Sequence, residues 1–420
     1  MPGRRLVFAF LILLCAGAAS AERDASAQPL RLILPTSNDA LLHDDGPAFY
    51  MYTDRYYKGR RSQPWEGGQY GYVRNMKETP HGTVFTRFHE GVDIRPLYRD
   101  AAGEPLDTVR TIDEGRVVYV NHVESHSNYG KYVVVEHWWS GAPFYSLYAH
   151  LSHVYVREGQ EVVQGQRLAR MGHTGRGIDR RRAHVHFEIN MMLNANYPGW
   201  HRASSRGGNR HDAFNGYNLA GLDVAALYLA MRDDPGLTIE KFFARQEPFF
   251  KVAVPGDRPI DLLYRYPFLA RSARTRVSST AGVAAWEISF TPSGLPVRIE
   301  PSDRRVFEPT VTMVQHSPVP YSYLTSGTLT GSGRSYTLTS SGHRYLDLLL
   351  APVERDDYWD TVAAAVAGPA PVARKVSLQG PQPVEVARTP VDRLTAEEAA
   401  RREEQLRAAR GETGKRRRGW

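Results

Sequence analysis

Along residues 182–189 polar and apolar side chains alternate, placing His184, His186 and Glu188 on one face with Val185, Phe187 and Ile189 behind them. A period of two predicts a strand, because successive side chains of an extended chain point to opposite faces. β-Branched and aromatic runs recur at Arg116–Val120 and Lys131–His137, and Gly115, Gly130, Gly141, Gly159, Gly165, Gly172 and Gly175 punctuate them as turns. Residues 70–192 therefore read as mainly β, an antiparallel sandwich or barrel-like domain built from short strands.

The pattern changes after Met192. Asn194 to Asn215 is polar and predicts a long loop. Leu222, Ala225, Ala226, Tyr228 and Leu229 then recur at helical spacing, predicting a helix over Leu219–Met231. Thr238 is placed to cap a second helix, with Leu237 and Phe242 spaced for a hydrophobic staple. Residues 193–250 thus form a loop and helical segment. From 251 to 353 strand patterns return, with hairpins expected at Trp286–Phe290 with Pro296–Glu300 and at Thr328–Gly333 with Tyr336–Thr339. That stretch reads as a second, small β-sandwich-like domain. Residues 22–69, rich in Tyr, Asp, Gly and Pro, read as an irregular wrap that buries tyrosines. Residues 354–420 read as a charged, partly disordered tail, with a capping box at Thr395 and Glu398.

Charge and address narrow the class. Met1-Pro2-Gly3-Arg4-Arg5, an apolar run from Leu6 to about Ala19, and Ala19-Ser20-Ala21 have the three parts of a secretory signal peptide, residues 1–21. Leu14 precedes Cys15 where a lipoprotein signal needs a small residue, and no later stretch reaches the ~20 apolar residues of a membrane span. A periplasmic or extracellular, cell-wall-associated protein is expected. Cys15 is the only cysteine, so the mature chain has no disulfide, thiol nucleophile or cysteine metal site. The net charge of +8 favours polyanions. For an exported chain these are anionic wall polymers and membrane surfaces. No interleaved basic–aromatic groove pattern points to nucleic acid.

Histidine and carboxylate remain as metal ligands. His184 and His186 on a stiff strand make half of a site. Upstream, His89 and Asp93 lie in Phe88-His89-Glu90-Gly91-Val92-Asp93, where Gly91, Val92 and Pro96 predict a tight loop leading into a strand. With one histidine of the downstream pair they supply three protein ligands and an open position, the arrangement of a catalytic zinc. Between the clusters lie Tyr145-Ser146-Leu147-Tyr148-Ala149-His150-Leu151, Gly159-Gln160-Glu161-Val162-Val163-Gln164-Gly165-Gln166 and Gly172-His173-Thr174-Gly175.

Taken in this order, His-x-x-x-Asp, Tyr-x-His-Leu, Gly-Gln-x-Val-x-x-Gly-Gln, Gly-x-Thr-Gly and His-x-His resemble the lysostaphin/LytM-type zinc endopeptidases of bacterial cell walls. The resemblance covers residues 70–192. It implies a β-sandwich core with zinc in a groove on one sheet, one Zn2+ per chain held by His89, Asp93 and His186, and His150 with His184 beside the reacting water. Glu188, on the same face, ranks as an orienting residue. The implied activity is zinc-dependent hydrolysis of peptide bonds in peptidoglycan cross-links or stem peptides. The alternative is a non-catalytic wall-binding or regulatory protein on the same scaffold. Some relatives carry a latency segment where this chain has residues 22–69. The Gly-Gln hairpin also resembles a biotinyl/lipoyl carrier, but Gln164-Gly165-Gln166 offers no lysine to modify. The loop Arg176–Ala183 departs from the usual small-residue pattern and predicts a basic rim that grips substrate carboxylates.

Overall fold

The computed structural model describes residues 28–205, 207–257, 260–270 and 283–353. The expected signal peptide and charged tail lie outside the described residues. The strands that position the site are β1 (Gly71–Thr79), β2 (Gly82–His89), β3 (Val92–Ile94), β4 (Thr108–Arg110), β5 (Gly115–Asn121), β6 (Tyr132–Trp139), β7 (Ala142–Ala149), β8 (His153–Val154), β9 (Glu161–Val162), β10 (Arg167–Arg170), β11 (Val185–Met192) and β12 (Leu219–Gly221).

The largest sheet has seven strands in the order β9–β5–β6–β7–β11–β12, with β3 pairing on β11 as well. Every pairing in it is antiparallel. Strands β7 and β11 are buried along their whole length. Val133, Val135, Phe144, Tyr148, Phe187 and Ile189 belong to one core with Val109, Leu168 and Ala169 of the second, three-stranded sheet β8–β10–β4. Each buried Val, Leu, Ile or Phe among them contributes about 1.5–3 kcal/mol through removal from water. The chain is mainly β as the alternation predicts, and among the described residues no sheet closes into a barrel.

β11 has two different neighbours along one edge. Its first residues pair with β3, with Val185 opposite Ile94, His186 opposite Asp93 and Phe187 opposite Val92. Its last residues pair with β12, from Asn190 opposite Gly221 to Met192 opposite Leu219. On the other edge runs β7, with His186 opposite Ala149. Because directly opposed residues share a face, this register alone brings Asp93 and the end of β7 to His186.

Beyond Met192 helix and strand are distributed differently from the sequence pattern. Leu219–Gly221 is a strand, and the helix runs over Val224–Asp233, started by the Asp223 carboxylate accepting from Ala226 N. Edge pairing and an N-cap outweigh helical spacing there. The polar stretch 194–215 contains a helix, Tyr197–Ser204, that buries Tyr197 and Trp200. The second expected helix is present as Ile239–Ala244, with Thr238 accepting from Lys241 N. In the last region Phe250–Pro255, Ala285–Phe290, Pro296–Ser302 and Thr310–Val314 make a four-stranded antiparallel sheet. Both expected hairpins are paired. Ser340–Leu349, which reads as part of a strand region, is instead a helix capped by Thr339.

This region grips the end of β11. The Arg265 guanidinium donates to Met192 O at 2.7 Å and Leu193 O at 3.0 Å while ion-paired to Asp261 at 2.6 Å. Tyr266 Oη accepts from Met192 N at 3.0 Å. The β1–β2 hairpin also leans on it, through Tyr70 and Tyr72 hydroxyls near Ser293 and Ser326.

Candidate metal centre

His89 closes β2, the Glu90-Gly91 turn follows, and Asp93 sits in the middle of β3. The turn needs glycine: a Cβ on Gly91 would stand 2.4 Å from Phe187 O of β11. His186 is the second residue of β11, and His184, just ahead of it, is bridged to Gly172. His150 follows β7 in a left-handed backbone conformation, φ 61°, which is uncommon and costly for a residue with a side chain. All five side chains are buried and converge.

Three donor atoms meet at the centre. His186 Nδ1 lies 3.0 Å from Asp93 Oδ1 and 3.0 Å from His89 Nε2, and His89 Nε2 lies 3.1 Å from Asp93 Oδ1. The opposite ring nitrogens are engaged elsewhere. His89 Nδ1 donates to Gln69 O at 2.7 Å, and His186 Nε2 faces Glu188 Oε1 at 2.6 Å. With those outer positions protonated, both imidazoles turn a lone pair inward toward a carboxylate oxygen. Three such acceptors repel one another unless a cation lies between them. Two imidazoles and a carboxylate are a donor set for a divalent metal, and ligand atoms on a tetrahedral zinc stand roughly 3.3 Å apart. The residues fit the ion.

The charges carry the same message. Asp93 stays well below the usual carboxylate range although burial works against it, because His89, His184 and Arg74 surround it. Arg74 Nη2 donates to Asp93 Oδ2 at 2.6 Å, leaving Oδ1 for the centre. Burial, joined by the Arg74 charge, pulls His89 down to about 4, so it is neutral at neutral pH. Burial alone would also lower His186, but hydrogen bonds with Asp93 and Glu188 outweigh it and raise the imidazole to about 10. A proton on His186 Nδ1 thus takes a cation's place beside Asp93, and a bound ion would displace it and use the lone pair.

Two histidines flank the donor set without joining it. His184 Nδ1 donates to Arg182 O at 2.5 Å, which turns Nε2 toward Asp93 Oδ1, 3.4 Å away. His150 Nδ1 donates to Thr174 O at 2.8 Å, and its ring centroid lies 4.8 Å from that of His184. Burial and the neighbouring histidines push His150 well below its usual range. The Gly-x-Thr-Gly motif explains itself here. Thr174 presents its carbonyl to His150 while its hydroxyl accepts from Lys131 N and donates to Leu151 O. Gly130 (φ 62°) and Gly175 (φ 101°) let the two loops meet, since a Cβ on Gly130 would lie 2.4 Å from the Thr174 carbonyl carbon.

Sequence reasoning underrates three residues. Glu188 is fully buried and receives His186 at 2.6 Å, Tyr129 Oη at 2.8 Å and Asn190 Nδ2 at 2.9 Å. Tyr129 and Arg74 complete the surroundings, and no local motif marks either. The arginine loop is not a free rim. Arg180 pairs with Glu104 at 2.6 Å and Arg181 with Asp179 at 2.8 Å, while Arg182 donates to Tyr52 O and Gly177 O. His137 is buried apart from the cluster, bonded to Glu114 O and Ser146 Oγ. His81, His122, His126 and His153 are exposed, and His173 pairs with Glu104.

Comparison with known proteins agrees with this geometry. Residues 87–198, which contain all five side chains, match the family model for Peptidase family M23. "Lipoprotein NlpD" of Yersinia enterocolitica is 34% identical over 90 residues, 21% of this chain and 84% of that protein. "Murein hydrolase activator NlpD" of Escherichia coli (strain K12) is 37% identical over 90 residues, 21% of each chain. "Peptidoglycan DD-endopeptidase ShyA" of Vibrio cholerae is 37% identical over 86 residues, 20% of this chain and 18% of that one. The chain spans about a fifth of the length of the curated murein hydrolase activators it matches. Among solved structures, the catalytic domain of lysostaphin from Staphylococcus simulans is 18% identical, covering 46% of this chain and 98% of that one at a TM-score of 0.24. The chain belongs to peptidase family M23.

Proposed function

We propose that this protein is a zinc-dependent endopeptidase of the bacterial cell envelope that hydrolyses peptide bonds in peptidoglycan cross-links or stem peptides. The observation that carries the reading is the inward convergence of His89 Nε2, Asp93 Oδ1 and His186 Nδ1 with two further imidazoles alongside. His89, Asp93 and His186 are the residues to hold the ion. A zinc bound there supplies Lewis acidity, polarising a carbonyl and lowering the pKa of water toward ~7.

The chain's own groups do the rest. His150 and His184 each spend Nδ1–H on a carbonyl, so each keeps Nε2 free to take a proton from water and return it to the leaving amine. A neutral imidazole is required for the first step, and burial keeps His150 neutral at physiological pH. Glu188 and the Gln69 carbonyl fix the orientation of His186 and His89. Arg74 fixes Asp93. Export, as the N-terminal sequence predicts, would bring this site to its substrate, and no helix among the described residues is long and apolar enough to cross a membrane.

Relatives named as a murein hydrolase activator keep a second reading open, a protein that stimulates another hydrolase without cutting. One experiment separates them. Purified protein is incubated with cross-linked peptidoglycan fragments, with and without a chelator, and newly formed amino termini are counted. The enzyme reading expects new termini that vanish on chelation and return with zinc. If no termini form and only an added hydrolase speeds up, the activator reading replaces it.

A further inference from the structure

We propose that the outer face of the β8–β10–β4 sheet docks an anionic polymer whose charge is carried by phosphate. The surface lies outside the metal centre, and the inference goes beyond the catalytic reading. Register and burial define the face. Arg167 of β10 stands directly opposite Arg110 of β4, and Arg170 stands between Thr108 and His153. Val109, Leu168 and Ala169 are buried beneath, while Arg110, Arg167 and His153 are exposed. The Arg167 guanidinium lies 4.0 Å over the Tyr155 ring, which holds it flat at the surface.

Like charges directly opposed across an antiparallel pair are destabilising. Arg61, Arg180, Arg232 and Arg245 each meet a carboxylate, on Asp54, Glu104, Asp44 and Asp234. The three arginines of this face do not. Among the described residues no carboxylate lies within ion-pair distance of Arg110, Arg167 or Arg170. Their remaining contacts are to carbonyls, Arg110 Nη1 to Gly165 O at 3.3 Å and Arg170 Nε to Pro105 O at 3.2 Å. Of the acids three residues from Arg110, Asp107 is buried and spends both oxygens on Leu97 N and Tyr98 N, and Asp113 accepts from Trp139 Nε1. The sheet therefore keeps a repulsion that an anion seated between the guanidinium groups would relieve.

The layout favours a chain over a single ion. Arg110 and Arg167 form one positive point, and a β-bulge in β10 brings Arg170 to the same face, level with Thr108 and roughly 7 Å further along. Arg110 and Arg167 stand on exposed surface, a strip that suits a ligand repeating its charge. A guanidinium fork matches the paired oxygens of a phosphate, and delocalised arginine charge is more readily desolvated than lysine charge. A membrane surface is the competing occupant, but Tyr155, the aromatic side chain at this face, lies under Arg167 and is not free to insert.

The test uses the full chain and long-chain polyphosphate as probe, with Kd measured at several salt concentrations. The triple variant Arg110→Gln/Arg167→Gln/Arg170→Gln is compared with Arg60→Gln/Arg87→Gln/Arg202→Gln, which removes the same charge from scattered exposed arginines. The face variant should weaken binding about tenfold or more at low salt and reduce the slope of log Kd against log salt by about two. The scattered variant should stay within about threefold of the parent chain. Equal losses in the two variants, or no binding by the parent chain, would overturn the proposal. So would binding to anionic phospholipid vesicles without binding to polyphosphate. A second variant guards against misfolding. Arg110→Glu places opposite charges across the strand pair, so it should raise the unfolding midpoint while weakening polyphosphate binding. A lowered midpoint, or binding that survives Arg110→Glu, contradicts the assignment.

Discussion

The two halves of β11 are buried to the same degree and solve opposite problems. In the first half His186 faces Asp93 of β3 with Glu188 behind its outer nitrogen, and possible ligand atoms gather at one point. In the second half the strand end is held by fixed partners: Arg265 donates to the carbonyls of Met192 and Leu193, and Tyr266 accepts from Met192 N. One end is clamped by side chains of the last region. The other gathers three possible metal-ligand atoms around one point. The two ends have different edge neighbours, β12 and β3.

The comparison can be broken at either end. The largest effect is expected at Asp93, whose Oδ1 faces the centre while Oδ2 holds Arg74. Asp93→Asn removes the charge at constant size, and both bound zinc and peptide hydrolysis should fall below detection by metal analysis and turnover assay. At the other end, Arg265→Met leaves Asp261 buried without its cation. That should cost roughly 3–5 kcal/mol of stability in denaturant titrations. Zinc affinity of the folded fraction should change little. Comparable losses of affinity would mean that the two ends do not act separately.

Smaller effects sharpen the division inside the first half. His184→Ala should keep zinc yet lose activity by ~10²-fold or more, the scale of general acid–base help. Loss of metal at this position would move His184 into the ligand set. Glu188→Gln keeps the shape but weakens the hold on His186 Nε2. A 10–100-fold loss of zinc affinity by chelator competition is expected, as for other residues that orient a metal-binding histidine. Unchanged affinity would reduce Glu188 to a buried structural carboxylate.

What could be read in advance follows from range. The alternation at 182–189 is local, so the strand and its histidine face are legible in the residues themselves. The grouping of His89, Asp93, His150, His184 and His186 came through motif resemblance, because no spacing reveals that β3 and β7 flank β11. Arg74 and Tyr129 were missed since their roles arise from a hairpin and a loop distant in sequence from Asp93 and Glu188. The partners of the arginine run are out of reach of local reading for a related reason: Glu104 and the Tyr52 carbonyl lie more than seventy residues away. Around Leu219 helical spacing was real, but strand pairing with Met192 took precedence.

The central claim is that the first half of β11 is built to hold one metal ion. Metal analysis of the purified chain beside His186→Ala, each verified as folded, tests it most directly. The account predicts one zinc per parent chain and none in the variant. Full zinc in His186→Ala, or a folded parent chain that binds no zinc when it is supplied, would contradict it.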